Sequence, residues 1–168
     1  MRASARDEEY TAYMTARLPW LQRVAYLLCQ DWDRADDLVQ TAMTRLYVNW
    51  RRAGAVENLD GYARTVLVRV FLSEQRTGWW KRVAVGSDPP EPAVTTDHDA
   101  RLDLRTALAA LPPRQRAAVV LRFYCDLSVE QTADVMHCST GNVKSQTARG
   151  LAALRRAFEP AGVQEGES

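Results

Sequence analysis

The sequence contains few of the residues that build disulfides, metal centres and acid–base catalytic sites. Among its 168 residues are three cysteines, Cys29, Cys125 and Cys138, and two histidines, His98 and His137. The cysteines are widely spaced and form no Cys-x-x-Cys pair, a pattern typical of reduced thiols in a cytoplasm. The neighbouring His137 and Cys138 lack the further ligands that a zinc site requires, and no nucleophile is paired with a base. We therefore expect a non-catalytic protein without a metal or cofactor.

Long apolar stretches are also missing. No run approaches the roughly 18 residues that a membrane span requires, and the N-terminus shows no secretory signal with a cleavage site. We expect a cytoplasmic protein that neither crosses a membrane nor is exported. Alternation of apolar and polar residues never extends beyond a few positions, whereas apolar residues recur at 3- and 4-residue steps through most of the chain. The sequence therefore predicts an all-α fold.

The net charge of +1 hides an uneven distribution. Residues 1–85 carry 13 basic and 10 acidic side chains, residues 86–103 carry 1 and 5, and residues 104–159 carry 8 and 4. The acidic stretch also contains three prolines and no apolar period, so it is predicted to be a flexible linker. We predict two small helical domains at residues 1–82 and 101–159, a linker at 83–100 and a disordered tail at 160–168. Fully extended, the linker spans roughly 50 to 60 Å, so the two domains need not touch.

Residues 128–156 contain two helix starts on either side of a tight break. Ser128 and Gln131 have the spacing of a capping box, and Ser139 has the position of a second N-cap. Two helices joined by a short turn predict a helix-turn-helix unit. The expected apolar stripe of the second helix is Val143, Thr147, Leu151, Leu154 and Phe158.

The second helix also carries a polar, partly basic face, and its first turns contain no acid. Side chains of this kind contact base edges and phosphates, and the helix dipole favours phosphate near a helix N-terminus. Any surface helix has a polar face, so this feature alone does not establish DNA binding. The residue choice between Ser139 and Ser145 favours it.

Two further helices are predicted ahead of this unit. The first has an apolar stripe and ends at Pro112, and the second starts at Pro113, a favourable first helical position. The residues expected to face inward are Leu104, Ala107, Leu108 and Leu111 in the first, and Ala117, Val120, Leu121 and Tyr124 in the second.

The N-terminal domain begins with helical spacing from Asp7 to about Gln30, where Pro19 predicts a break between two helices. An acidic stretch then starts a strongly amphipathic helix that reaches Trp50. Its acids complement the helix dipole more simply than they form a metal site. The predicted apolar stripe is Ala35, Leu38, Val39, Ala42, Met43, Leu46, Tyr47 and Trp50. The polar face with Asp37, Gln40, Thr41 and Thr44 remains free for a partner.

A loop bounded by Gly54 and Gly61 follows, and a helix is predicted from Tyr62 to about Gly78. Trp79 and Trp80 stand beside Lys81 and Arg82 at its end. Such a tryptophan pair either stacks on unpaired bases or closes over a small core, and the sequence leaves both interpretations open.

The order of these segments resembles the extracytoplasmic-function sigma factors of bacterial RNA polymerase, in particular the sigma-E-like group of actinobacteria. The resemblance covers nearly the whole chain. Its most specific segments are ADDLVQTAMTRLYVNW (35–50), WWKR (79–82), LPPRQRAAVVLRFYCDLS (111–128) and CSTGNVKSQTARGLAALR (138–155). It implies a promoter-specificity subunit with a sigma-2 domain, an acidic linker and a sigma-4 domain. The partners that it implies are core polymerase, through the β′ coiled coil and the β flap, and promoter DNA; an anti-sigma factor is left open.

The resemblance also assigns residues to three contacts. For core polymerase binding, the resemblance implies Asp36, Asp37, Leu38, Gln40 and Thr41. Binding of the minus-10 element, with a flipped base in single-stranded form, falls to Asn58, Tyr62, Arg64, Arg69, Arg76, Trp79 and Trp80. Binding of the minus-35 element in the major groove falls to Thr140, Asn142, Lys144, Ser145, Ala148 and Arg149.

Four positions depart from the family pattern. Arg69 stands where the family usually has Asn, and Ser73 where many members have Asp, which puts the minus-10 preference in doubt. His137 replaces the usual Gly of the turn, so a left-handed conformation there costs roughly 1 kcal/mol. Gly150, where Ala is usual, lowers helix propensity by about 1 kcal/mol.

A different class of function also fits a helix-turn-helix. A free-standing transcriptional regulator binds its operator as a dimer and needs a self-complementary helix. The N-terminal domain shows no dimer seam, which favours the sigma-factor interpretation.

Overall fold

The computed structural model describes residues 4–53, 56–85 and 100–159, with side chains at all of these except 52–53, 78–85 and 100–103. The fold is all-α, as predicted. Its elements are α1 (Ala5–Cys29), α2 (Trp32–Val48), α3 (Trp50–Ala53), α4 (Leu59–Val85), α5 (Ala100–Ala110), α6 (Pro113–Val119), a π-helical turn (Val120–Tyr124), α7 (Val129–Met136) and α8 (Thr140–Phe158). We refer to α1–α4 as the N-terminal domain and to α5–α8 as the C-terminal domain.

The predicted linker and tail lie almost wholly outside the described residues. Of the linker, 83–85 continue α4 and Ala100 begins α5, while residues 86–99 are outside. Helix α4 is therefore longer than predicted, since it was expected to stop near Gly78. The tail at 160–168 is also outside, and so are the side chains of Trp79 and Trp80.

The predicted helix break at Pro19 is wrong, because α1 is continuous from Ala5 to Cys29. Proline removes the amide that would bond the carbonyl of Thr15, but Pro19 and Thr15 are both exposed, so water can serve that carbonyl. Buried residues on both sides of the proline, among them Met14 and Leu21, hold the two halves in one core.

Helix α2 begins at the acidic stretch, as the sequence predicted. The Asp31 side chain accepts hydrogen bonds from the amides of Asp33 at 2.9 Å and Arg34 at 3.5 Å, so this acid is the N-cap. The apolar stripe of α2 faces the core. Its fully or almost fully buried members are Ala35, Leu38, Val39, Ala42 and Leu46.

Helix α4 starts at Leu59, three residues before the predicted start. Asn58 is its N-cap, since the side-chain oxygen accepts from the Gly61 amide at 2.9 Å. A Cβ on Gly61 would lie 2.7 Å from the Asn58 amide nitrogen. Gly61 is thus a helical residue that makes room for the cap, and it does not end the loop.

The C-terminal domain follows the predicted order with one change of register. Helix α6 starts at Pro113 as expected, but its last turn widens to a π-helix, with the Cys125 amide donating to the Val120 carbonyl at 3.0 Å. The extra residue in this turn rotates Tyr124 outward, so this predicted core residue is 49% exposed. Leu104, in the first part of α5, is exposed as well.

The two domains touch, although the linker did not require it. A single apolar cluster includes Leu21 and Phe71 from the N-terminal domain with Leu121, Leu127 and Val135 from the C-terminal domain. Arg116, only 8% exposed, lies at this junction and donates to the Leu28 carbonyl across it. The C-terminal domain therefore packs against α1 and α4.

Gly150 allows α8 to approach α6 closely. A Cβ at this position would lie 2.8 Å from Cγ2 of Val119 and 3.4 Å from the Gln115 carbonyl oxygen. The absence of a side chain at Gly150 therefore permits close packing of α8 on α6 that a larger residue would prevent. This packing compensates for the low helix propensity of glycine.

We expect Gly150→Ala to lower the free energy of unfolding. Overpacking costs about 1 to 3 kcal/mol, and the gain in helix propensity offsets only about 1 kcal/mol, so the net loss is about 1 kcal/mol. Urea unfolding followed by far-UV circular dichroism measures it. The matched control is Gly141→Ala, where the nearest atom to a new Cβ is Ser139 Oγ at 3.9 Å. Equal stabilisation by both substitutions would contradict the close contact.

Candidate functional site

The helix-turn-helix unit forms with the predicted caps. Ser128 and Gln131 make a full capping box, with the Gln131 amide donating to the Ser128 hydroxyl at 3.0 Å and the Ser128 amide donating to the Gln131 side chain at 2.9 Å. Ser139 accepts from the Asn142 amide at 3.1 Å and starts α8. The predicted left-handed residue is confirmed, since His137 has φ 57° and ψ 49°.

The polar face of α8 is open to solvent. All six residues assigned to the minus-35 contact are exposed: Thr140, Asn142, Lys144, Ser145, Ala148 and Arg149. Val143 is fully buried beneath them and anchors the helix. The first turn contains no acid, so the partial positive charge of the helix N-terminus adds to that of Lys144. Phe158, predicted to lie in the apolar stripe, is 47% exposed because it is the last residue of the helix.

A second exposed face lies on α2. Asp36, Asp37 and Gln40 are exposed, and Thr41 is half-buried with its hydroxyl donating to the Asp37 carbonyl at 3.0 Å. Leu38 differs from these four because it is fully buried in the core. Its side chain supports the helix from inside, and its assignment to core polymerase binding stays a prediction.

Next to this acidic face is a groove of about 340 Å³ between α1 and α2. Tyr47, predicted to be buried, is exposed at its rim and donates to the Asp7 carboxylate at 2.8 Å, which lowers the pKa of Asp7. Tyr10 donates to the Met43 carbonyl at 2.7 Å at the base of the groove. Tyr47 is seven residues after Gln40, so it lies on the polar side of the helix. This spacing is the signal in the sequence from which the groove could have been predicted.

Those residues assigned to the minus-10 contact whose side chains the structure describes lie at the junction of the two domains. Tyr62, Arg64 and Arg69 line a cleft of about 440 Å³ whose opposite wall is formed by α7, including Gln131 and Asp134. Asn58 is also on this cleft, but its side chain is occupied as the cap of α4. The structure thus brings most of these residues together, although they do not all face solvent.

Arg69 makes contacts that sequence reasoning missed. Its Nε donates to the Val135 carbonyl at 3.2 Å, and its Nη2 donates to the Asp134 carbonyl at 2.9 Å. Both acceptors belong to α7, the first helix of the helix-turn-helix unit. The guanidinium group of Arg69 is therefore bound to the other domain.

Residues assigned to two different DNA elements line the same groove. Arg76 of α4 and Arg149 of α8 both border a groove of about 490 Å³, together with Leu72, Gln75, Pro112 and Gln146. In this arrangement the surfaces assigned to the two elements are neighbours.

The described ranges contain neither a cluster of metal ligands nor a membrane-spanning helix. Across 4–53, 56–85 and 100–159, no three His, Cys, Asp or Glu side chains are grouped so as to hold a metal ion. No helix in that part of the chain combines the length and apolar character needed to cross a membrane.

The strain at His137 generates a test of the turn. We expect His137→Gly to raise the free energy of unfolding by about 0.5 kcal/mol, because Gly adopts the left-handed conformation without the clash of a Cβ but loses more entropy on folding. His137→Val is expected to lower it by about 1 kcal/mol, since a branched side chain fits this conformation poorly. Thermal and urea unfolding measure both values. The reverse order of the two variants would show that the turn is not left-handed.

Comparison with known families shows matches in both domains. Residues 14–81 match the family Sigma-70 region 2, and residues 101–154 match the family Sigma-70, region 4. Residues 82–100 lie between the two matches.

Individual relatives cover most of the chain. It is 35% identical to the RNA polymerase sigma-E factor of Streptomyces avermitilis over 158 residues, which are 90% of this chain and 86% of the relative. It is likewise 35% identical to the sigma-E factor of Streptomyces coelicolor over 154 residues, 88% of this chain and 84% of that one. Among solved structures, the sigma factor RpoE in complex with the anti-sigma factor NepR from Bartonella quintana is similar, with a TM-score of 0.72, 25% identity and coverage of 89% of this chain and 96% of that chain.

Proposed function

Because the chain belongs to the sigma-70 family of RNA polymerase sigma factors, in its extracytoplasmic-function group, we propose a specific division of labour between its exposed surfaces. The protein is an RNA polymerase sigma factor for promoter-specific transcription initiation. The matches to both domains exclude the free-standing regulator, which accounts for the helix-turn-helix unit alone. The proposal concerns which residues meet which partner, and it includes a non-catalytic role in the cytoplasm.

The acidic face of α2 is proposed to bind core polymerase at the β′ coiled coil. Asp36, Asp37 and Gln40 are exposed on one side of a helix whose other side is locked in the core, so they present a rigid polar surface. A rigid surface loses little entropy on binding. The neighbouring groove at Met43 and Tyr47 adds apolar contact area to the same interface.

The first turns of α8 are proposed to read the minus-35 element. The observation that carries this assignment is the exposed, acid-free N-terminal face of α8, held up by the buried Val143. Recognition helices contact base edges with their N-terminal residues while the dipole and Lys side chains meet phosphates. The exposed aromatic pair Phe123 and Tyr124, in the π-helical turn, offers an apolar contact for the β flap.

The minus-10 element is proposed to be bound by α4 and its cap. Tyr62 provides a stacking surface, and Arg64, Arg69 and Arg76 provide positive charge along one helix. Stacking on aromatic side chains combined with basic contacts is how proteins hold unpaired bases. Trp79 and Trp80 belong to the same proposal, although their side chains lie outside the described residues.

An anti-sigma factor is a further proposed partner. The support is the likeness to a sigma factor bound to its anti-sigma factor, which extends over 89% of this chain and so includes both domains. A chain with this arrangement offers the same kind of two-domain surface to such a protein.

The overall function is tested by transcription in vitro with core polymerase and a library of promoters. We expect the full-length protein to add start sites that core alone does not use, with a shared pair of upstream sequence elements. If start sites are identical with and without the protein, the proposal fails.

For the core contact, we expect Asp37→Ala combined with Gln40→Ala to weaken binding to core polymerase roughly tenfold, because two polar groups of one interface are lost. The helical signal in far-UV circular dichroism is expected to remain unchanged, since both side chains are exposed. Fluorescence anisotropy of labelled protein with core measures the affinity. Glu8→Ala, an exposed acid on α1, is the control; an equal loss in the control would point to net charge alone.

For the minus-35 contact, we expect Arg149→Ala to reduce transcription by about tenfold or more, as expected for the loss of a base or phosphate contact worth about 1 to 3 kcal/mol. The effect should disappear on promoters whose upstream element is scrambled. Arg155→Ala removes a charge from the last turn of the same helix and is expected to change transcription less than twofold, an order-of-magnitude expectation for a peripheral charge. Run-off transcription measures both variants. Equal losses on intact and scrambled promoters would contradict the assignment.

A further inference from the structure

In each domain, one arginine donates hydrogen bonds to the C-terminal end of a helix in the other domain. Arg69 of α4 donates to the carbonyls of Asp134 and Val135 in the last turn of α7. Arg116 of α6 donates to the carbonyl of Leu28 in the last turn of α1. The two contacts are reciprocal, and both use backbone carbonyls as acceptors.

The carbonyls at the C-terminal end of a helix need hydrogen-bond donors from outside that helix. The last four carbonyls of an α-helix have no intrahelical partner, and they carry partial negative charge that attracts a cation. In α7 the amides of His137 and Cys138 bond to the carbonyls of Asp134 and Ala133, so the carbonyl of Val135 depends on Arg69.

The end of α1 is arranged in the same way. The Gln30 amide donates to the Tyr26 carbonyl at 2.7 Å, and the Gln30 side chain donates to the Leu27 carbonyl at 2.7 Å. The next carbonyl, that of Leu28, receives Arg116. Arg116 also ties together the end of α5, where it donates to the carbonyls of Leu108, Ala109 and Leu111.

The arrangement that these arginines hold is incompatible with reading two promoter elements at once. Elements centred near positions −10 and −35 are about 25 base pairs apart, which is roughly 85 Å along B-form DNA at about 3.4 Å per base pair. Arg76 and Arg149, assigned to the two elements, line one groove of about 490 Å³. Arg69, assigned to the minus-10 element, has its guanidinium bound to α7.

We propose that Arg69 and Arg116 are reciprocal helix-end caps that hold the free protein closed, with Arg69 as the releasable latch that frees the minus-10 surface. Arg69 is the releasable member because it is exposed and bonds only across the junction among the described residues, whereas Arg116 is buried and also holds its own domain together. The inference rests on the proposed function, since that assigns the two domains to two separate elements.

The test compares full-length wild-type protein with Arg69→Ala in the absence of polymerase and DNA. Two cysteines at the junction serve as native reporters: burial raises the pKa of Cys29 to about 11 and also raises that of Cys125. Each thiol also feels the charge of an arginine from the other domain, Arg116 for Cys29 and Arg64 for Cys125. Alkylation at each cysteine is followed by mass spectrometry, and the radius of gyration is measured by small-angle X-ray scattering.

We expect Arg69→Ala to raise the alkylation rate of both cysteines roughly fivefold, as follows from losing one helix-end contact, and to increase the radius of gyration. Arg69→Lys, which keeps the charge and can bond one carbonyl, is expected to fall between the two. Arg23→Ala, which removes an exposed arginine from α1, is expected to match the wild type.

Unchanged alkylation and radius of gyration in Arg69→Ala would overturn the proposal. An increase confined to a variant that has lost its helical signal in circular dichroism would also overturn it, because it would reflect unfolding. The assay contains no promoter and no polymerase, so its failure leaves the proposed function standing, and failure of the transcription assay leaves the latch to be judged by this experiment alone.

Discussion

The unsatisfied carbonyls at helix ends are the constraint on which the arrangement of this protein depends. A chain built only of helices has many such ends, and each buried one needs a donor. The short α7 and the long α1 both end at the junction of the two domains, where water is partly excluded. Arginine suits this position because its planar fork can reach several carbonyls, as Arg116 does at Leu108, Leu111 and Leu28. Apolar packing then closes around these bonds, with Leu121, Leu127 and Val135 joining the core of the N-terminal domain.

The same core that joins the domains also defines what they leave exposed. Helix α2 buries Leu38 and Leu46 and so holds Asp36, Asp37 and Gln40 outward in a fixed orientation. Val143 does the same for the first turns of α8. A buried residue and an exposed residue on one helix therefore act as a pair, because the first fixes the direction in which the second points. This is why Leu38, although it lies within the segment that resembles the polymerase-binding helix, contributes from inside.

Much of the fold was predictable from local chemistry, and most of the failures share a physical cause. The caps at Ser128 and Ser139, the start of α6 at Pro113 and the left-handed His137 all depend on a few neighbouring residues, and all were predicted. The continuity of α1 through Pro19 and the close approach at Gly150 depend on packing with distant segments. The outward position of Tyr124 follows from the extra residue of the π-helical turn. The exposed face of α8 and most of the α2 face followed from helical periodicity. The binding of Arg69 to α7 did not, because its acceptors are backbone atoms 65 and 66 residues away, which leave no pattern of side chains in the sequence.

A competition between acceptors connects the closed arrangement to DNA binding. Carbonyl groups at a helix end and phosphate groups on DNA both attract a guanidinium. The carbonyls belong to the same molecule as the arginine, so this contact forms without an encounter with DNA. With a net charge of only +1, the free chain has little long-range attraction for DNA to draw its arginines away. In the proposed latch, Arg69 is released when a partner binds each domain and separates them. Core polymerase is the proposed partner, with contacts at the exposed face of α2 and at the aromatic pair of the π-helical turn. At the position where the resemblance leads one to expect Asn, Arg69 is a donor long enough to cross the junction. In the proposed latch, this contact links promoter access to assembly with polymerase.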